Sequence, residues 1–239
     1  MGKMFIITSG KGGTGKTILA VNLAAMLAED GSRVLLTDMN IGYRSADLFM
    51  GLENDVVYDS SDVLRGVCDI EQALVKDGRF ENLYLLAAAP EHEDGVNIRK
   101  FETLLGLLQD EFDYVIVDMP TGVSRITSLL AKDAASVILV STADPSSLRD
   151  TDALDRKLIS LGVDKQKIIL NRLVPEFMNE GVVPKLRDIV GMLKPEIIGI
   201  VQEDIFIAVA GNLGVPVVMK RGTYIRRNFA RIAGVLRDL

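Results

Sequence analysis

Short runs of β-branched and other apolar residues alternate along this chain with longer stretches whose apolar positions recur at helical spacing. Met4–Thr8 reads as a first strand. A glycine-rich loop follows, then a helical pattern from Lys16 to Glu29 that Asp30-Gly31 ends. Further strands are predicted at Arg33–Asp38, Leu83–Ala87, Tyr114–Asp118, Ser136–Val140, Lys167–Asn171 and Ile197–Val201. Helical spacing returns in Ile98–Asp110, in Ser146–Leu161, more briefly in Asp69–Val75, and in the last segment, Arg226 to Leu239. This alternation predicts an α/β fold: a doubly wound, mostly parallel sheet with helices on both faces. No internal repeat, low-complexity tract or Pro/Gly-rich linker interrupts it, so residues 1–239 are expected to form a single domain. Ligands bind such sheets outside the carboxyl ends of the strands. Ser9-Gly10, Asp38, Asp118 and Asn171-Arg172 all fall at such ends, and are expected to converge along one edge.

Composition narrows the function classes. Apolar residues make up 48% of the 239, and a chain of this size can bury roughly three quarters of its unfolded surface. No apolar run reaches the ~18 residues of a membrane-spanning helix. The chain runs from Met1 into a strand with no signal-peptide pattern, so a cytoplasmic protein is expected. Cys68 is the single cysteine, which excludes an internal disulfide and a cysteine-based metal site within one chain. His92, the single histidine, lies in the acidic, loop-like stretch Pro90-Glu91-His92-Glu93-Asp94 and lacks the companions of a metal site or a catalytic triad. A net charge of −6 argues against a DNA-coating protein, although Lys220-Arg221 and Arg226-Arg227 form a modest basic cluster.

The strongest chemical signal is Gly10-Lys11-Gly12-Gly13-Thr14-Gly15-Lys16-Thr17. It matches G-x-x-x-x-G-K-[ST], follows a predicted strand and opens a predicted helix, the context a phosphate-binding P-loop requires. Glycines let successive N–H groups turn toward phosphates, and the helix N-terminus adds partial positive charge. Lys16 is expected to reach the β and γ phosphates of ATP, and the Thr17 hydroxyl to bind Mg²⁺. A flexible glycine turn is the alternative, and both flanks weigh against it. Asp118 closes the apolar strand Tyr114–Val117, the expected place for an aspartate behind the Mg²⁺; the alternative is a turn or N-cap residue. Asn171, also at a strand end, has an amide able to pair with adenine.

Lys11-Gly12-Gly13-Thr14-Gly15-Lys16-Thr17 resembles the deviant Walker A, or signature-lysine, motif of the MinD/ParA family of P-loop ATPases. The resemblance runs nearly the full length and is nearest the MinD branch. Asn40-Ile41-Gly42 and Leu48-Phe49-Met50-Gly51 resemble its switch I region; Val56–Asp59, Glu71–Leu74 and Glu81–Leu86 continue it. Ser146–Asp152 resembles the interface segment, and Asp118-Met119-Pro120-Thr121-Gly122 resembles switch II. The resemblance implies an ATP-dependent homodimer in which Lys11 reaches the partner's ATP. It implies that Asp152 meets that lysine across the interface, that Asp38 joins the Mg²⁺ shell, and that a backbone N–H near Gly122 senses the γ-phosphate. Asn171 and Arg172 would flank adenine on one side, with Val201–Asp204, including Glu203, on the other. An incidental surface lysine at 11 and a solvated helix charge at 152 are the alternatives.

The chain departs from the family pattern at four places. Asn40 stands where MinD-like proteins carry the switch I aspartate that orients the attacking water. Ile18 follows Thr17 where a second hydroxyl residue is usual, removing a donor to the α-phosphate. Gln202 replaces a usual proline. The sequence ends at Leu239, without the amphipathic, membrane-seeking tail typical of the branch. The segment 226–239 is basic and amphipathic, and is expected to dock on the sheet; the alternative is a helix lying on anionic lipid.

The resemblance therefore implies an ATPase of weak activity, a spatial regulator of cell division acting in septum site placement through a protein activator or effector. Its expected location is the cytoplasm and the inner face of the cell membrane. A hydrolysis-deficient ATP-gated scaffold is the second reading. Flagellar or pilus placement and ParA-like partition are the related alternatives. The iron-protein branch needs interface cysteines that Cys68 alone does not supply.

Overall fold

In the computed structural model, which describes residues 1–89 and 98–239, the predicted strands line up in one sheet. The stretch holding His92 lies outside the described residues. In chain order, β1 (Lys3–Thr8) leads through the glycine loop to α1 (Lys16–Glu29) and β2 (Val34–Asp38). Three short helices follow, α2 (Ala46–Met50), α3 (Ser60–Arg65) and α4 (Ile70–Ala73), then β3 (Leu74–Lys76) and β4 (Leu83–Leu86). α5 (Ile98–Glu111), β5 (Tyr114–Asp118), α6 (Arg125–Asp133), β6 (Ser136–Ser141), α7 (Pro145–Ser160) and β7 (Gln166–Leu173) continue the alternation. The chain closes with α8 (Pro175–Asn179), α9 (Leu186–Met192), β8 (Glu196–Gln202), α10 (Ile205–Asn212) and α11 (Tyr224–Asp238).

The strand order is β3-β4-β2-β5-β1-β6-β7-β8, parallel throughout except where β3 meets β4. Period-two alternation sends Phe5, Ile7, Leu36 and Ile116 to one face, and Met4, Ile6, Leu35 and Val115 to the other. α1 and α11 cover the first face; α5, α6 and α7 cover the second. Leu19 to Ala28 of α1 are buried without exception, because this helix is enclosed by the sheet and by α11. Its one polar member there, Asn22, donates to the Ile18 carbonyl at 2.8 Å and accepts from the Val218 N–H at 3.2 Å.

One expectation changes. The helical pattern over Asp69–Val75 ends after Ala73; Leu74–Lys76 joins the sheet as an antiparallel edge strand, pairing Leu74 with Leu86 and Lys76 with Tyr84. Backbone pairing at an open sheet edge outweighs local spacing there. The 226–239 segment docks on the sheet, as expected. α11 buries Ile225, Phe229, Ile232, Ala233 and Leu236 against α1 and β8, so its apolar face is spent on the core.

One ion pair, its carboxylate buried, ties the sheet edge to α2 and the end of α10. Asp77 is fully buried, and Arg79 grips it through Nε at 2.8 Å and a second guanidinium nitrogen at 2.6 Å. The same guanidinium donates to the carbonyls of Gly214 (2.8 Å) and Met50. Gly51 and Gly214 lie backbone to backbone: a Cβ on Gly51 would sit 2.7 Å from the Gly214 carbonyl oxygen, and both glycines have positive φ. Arg79→Met would strand a buried carboxylate and two carbonyls. It is expected to cost about 3–5 kcal/mol, read as a lower urea midpoint at unchanged slope; a midpoint like the parent's would refute the clamp.

Candidate functional site

The P-loop follows directly from β1. Its turn needs Gly13 (φ 76°) and Gly15 (φ 88°) in the left-handed region. Gly15 also admits a close neighbour: a Cβ there would lie 2.4 Å from Asn171 Nδ2, which donates to the Thr14 carbonyl at 2.7 Å. Thus the strand-end amide assigned to adenine also braces the phosphate loop. Lys16 curls over the loop, donating to Ser9 Oγ at 3.1 Å and Thr121 Oγ1 at 3.0 Å. Burial pulls its pKa below the ordinary lysine value, against the opposing pull of Asp118. Ser9 Oγ in turn donates to the Lys11 carbonyl at 2.7 Å. The Gly122 N–H donates to the Ser9 carbonyl at 2.8 Å, so any contact from it to a γ-phosphate requires that bond to open. Ile18 turns away from the loop toward Gly211 of α10.

Asp38 and Asp118 end neighbouring strands in direct register. Thr17 Oγ1 donates to Asp118 Oδ2 at 2.6 Å. Asn40 Nδ2 donates to both carboxylates, 2.9 Å to Asp38 Oδ1 and 2.8 Å to Asp118 Oδ2. Asp38 Oδ2 accepts the N–H groups of Ser45 (2.9 Å) and Ala46 (3.0 Å), which open α2. Burial and the Asp38 charge push Asp118 up to about 7, against hydrogen bonds from Thr17 and Asn40 and the charge of Lys16. Its other oxygen, Oδ1, is buried without a hydrogen-bond partner among the described residues.

That orphaned oxygen, beside a threonine hydroxyl and a second carboxylate, fits hydrated Mg²⁺. Among the described residues no cluster of three or more His, Cys, Asp or Glu could hold a metal ion. Mg²⁺ is commonly held by one or two carboxylates, waters and substrate phosphates, and the local donor set suits that mode.

A cleft of about 530 Å³ opens beside the loop, between Gly12-Gly13 and a wall of Arg172, Val174, Phe177 and Glu203. Arg172, at φ 57°, forks onto Glu203 (2.8 and 3.3 Å) and donates to the Gly13 carbonyl at 3.3 Å. The structure thus pairs Arg172 with Glu203 on the cleft wall, with Asn171 set behind Gly15.

Lys11 donates within its own chain to Asp144 Oδ1 (3.1 Å) and Ser146 Oγ (2.7 Å). Burial raises the Asp144 pKa, but hydrogen bonds from Ser146, Thr142, the Ser147 N–H and Lys11 outweigh it and hold the carboxyl well below the usual range. Asp152 pairs with Arg156 of the same helix at 2.7 Å. Sequence reasoning missed Asp144 and Phe177. Asp144-Pro145 is an N-cap followed by proline at the first helical position, and that signal was available. Nothing local marked Phe177.

The chain's likeness to known proteins covers this whole assembly. The model of the CobQ/CobB/MinD/ParA nucleotide binding domain matches residues 5–217. The septum site-determining protein MinD of Synechocystis sp. is 39% identical over 221 residues, covering 92% of this chain and 83% of the relative. The Aquifex aeolicus MinD in the MinC:MinD cell division protein complex superposes with a TM-score of 0.91 at 36% identity, covering 99% of this chain and 96% of that one. MinD from Pyrococcus horikoshii, solved with Mg-ADP, gives 0.85 at 26% identity, covering 99% and 96%.

The Asp118 shift has a measurable sign. Its folded pKa lies above the unfolded 3.8, so the nucleotide-free fold holds a proton the unfolded chain releases, and stability falls as pH rises from 3.8 to about 7. Asp118→Asn removes that loss. Without nucleotide and Mg²⁺, its Tm is expected to exceed the parent's above pH 7 and to converge with it in acid. Parallel Tm–pH curves would contradict the assignment.

Proposed function

The chain belongs to the CobQ/CobB/MinD/ParA family of nucleotide-binding domains, and on that premise we propose that it is a MinD-like, ATP-operated switch in division septum placement. The observation that carries the reading is the junction of Lys16, Thr17 and Asp118: a phosphate-loop lysine and a threonine hydroxyl 2.6 Å from a buried aspartate with one free oxygen. In this reading the Gly10–Thr17 N–H groups cradle the phosphates of ATP and Lys16 reaches the β and γ groups. Thr17, Asp118 and Asp38 would hold the Mg²⁺. Bound Mg²⁺ supplies neutralisation of phosphate charge. Asn171, Arg172 and Glu203 frame the base. The Mg-ADP in the Pyrococcus relative supports this ligand class.

Two such chains pair around ATP, with Lys11 leaving Asp144 and Ser146 to reach the partner's nucleotide and Asp152 flanking it. The paired form presents a new surface to a protein activator or effector; the Aquifex complex with MinC supports a protein partner. The switch works in the cytoplasm and at the inner face of the cell membrane.

Hydrolysis is slow. Asn40 lacks a proton acceptor of carboxylate strength, and its amide hydrogens are committed to Asp38 and Asp118. That double donation also favours a second reading, an ATP-gated scaffold with negligible turnover. Asn40→Asp would set a third carboxylate against the other two until Mg²⁺ arrives.

Sizing in Mg-ATP and in ADP, with phosphate release followed in parallel, tests the switch. ATP alone is expected to give a dimer, and Lys11→Ala to keep nucleotide binding while losing it. Asn40→Asp is expected to raise turnover by roughly 10²–10⁴-fold. A Lys11→Ala protein that still dimerises would remove the trans role, and equal turnover of parent and Asn40→Asp would remove the role given to Asn40.

A further inference from the structure

With α11 docked, α10 still turns a row of apolar side chains to solvent. Its sequence, Ile205-Phe206-Ile207-Ala208-Val209-Ala210-Gly211-Asn212, is apolar around its circumference, yet none of its residues is fully buried. One face is used: Ile207 and Ala210 pack on the core, and Gly211 meets Phe49. The other is open. Ile205 is 71% exposed, Phe206 54%, Val209 44% and the capping Leu213 71%, a stripe at i, i+4, i+8 with Phe206 beside it.

Cations stand beside this ridge. Lys220 Nζ rests 4.6 Å from the Phe206 ring centroid, and Arg221 is 86% exposed, with only a 3.8 Å approach to Glu29. Of the neighbouring acids, Glu203 is paired with Arg172, while Asp204, which accepts the Phe206 N–H (2.7 Å) and the Tyr224 hydroxyl, keeps its charge at the start of the helix.

We propose that α10 is a membrane-contacting ridge: Ile205, Phe206, Val209 and Leu213 enter the acyl boundary of an anionic bilayer while Lys220 and Arg221 meet its headgroups. Shallow burial of an apolar helix face, backed by cations, is the physics of reversible surface attachment. A helix of eight residues spans about 12 Å. That is small beside the roughly 800 Å² per partner of a stable protein interface, and a convex ridge offers no groove for a partner helix, whereas a bilayer needs neither. The net charge of −6 opposes unspecific approach to anionic lipid, so attachment needs a local apolar and basic patch. The inference deepens the peripheral location proposed above and is independent of the nucleotide chemistry.

Vesicle flotation tests it, using phosphatidylglycerol/phosphatidylcholine and pure phosphatidylcholine vesicles, with and without Mg-ATP. The parent is expected to float with the anionic vesicles and, far less, with the neutral ones. Phe206→Ser/Val209→Ser is expected to lose binding roughly tenfold or more, and Lys220→Glu to weaken it. These positions are exposed, so an unchanged Tm and unchanged nucleotide binding would verify that the fold is intact. Anionic binding that survives in the double variant overturns the ridge and leaves the peripheral location to another segment. No binding by the parent overturns both. Self-association of the parent that the double variant loses, without vesicle binding, assigns the stripe to a second copy and also overturns the proposal.

Discussion

Two carboxylates meet at the carboxyl end of the sheet because β2 and β5 run parallel in a register that sets Asp38 beside Asp118. Buried like charges repel strongly in a medium of low dielectric. The surrounding groups answer that constraint: Thr17 and Asn40 donate to Asp118, Lys16 brings positive charge, and the first N–H groups of α2 close on Asp38. The arrangement is stable enough to persist and strained enough to welcome a cation. It also ties the start of α2 to the same atoms that would face Mg²⁺, so the segment around Asn40 is sensitive to what occupies the site.

Much of this was legible in the sequence. The P-loop declares itself because its chemistry is local: glycines, lysine and threonine at fixed spacing between a strand and a helix. Asp38, Asp118 and Asn171 were found because strand ends in a parallel sheet share one edge. What escaped was tertiary. Leu74–Lys76 follows helical spacing, yet its backbone finds β4. Phe177 reaches the cleft from a five-residue helix that no periodicity can announce. Asn40 was legible as a lost acid, but its gain, an amide that binds two carboxylates at once, needed coordinates. The exposed stripe of α10 was hidden by its own composition, since an apolar run reads as core.

Lys11 is held by a contact that is weak enough to let it go. In one chain it rests on Asp144 and Ser146, about 40% exposed at both ends of the ion pair. Exposed pairs of this kind contribute little, so the contact parks the lysine without locking it.

The abutment of Gly51 and Gly214 has a mechanical consequence. No side chain lies between the two backbones to cushion a displacement, and Arg79 pins both sides from a third direction. α2 and the end of α10 therefore meet backbone to backbone, and any shift of α2, whose first N–H groups close on Asp38, would press directly on the turn at Gly214.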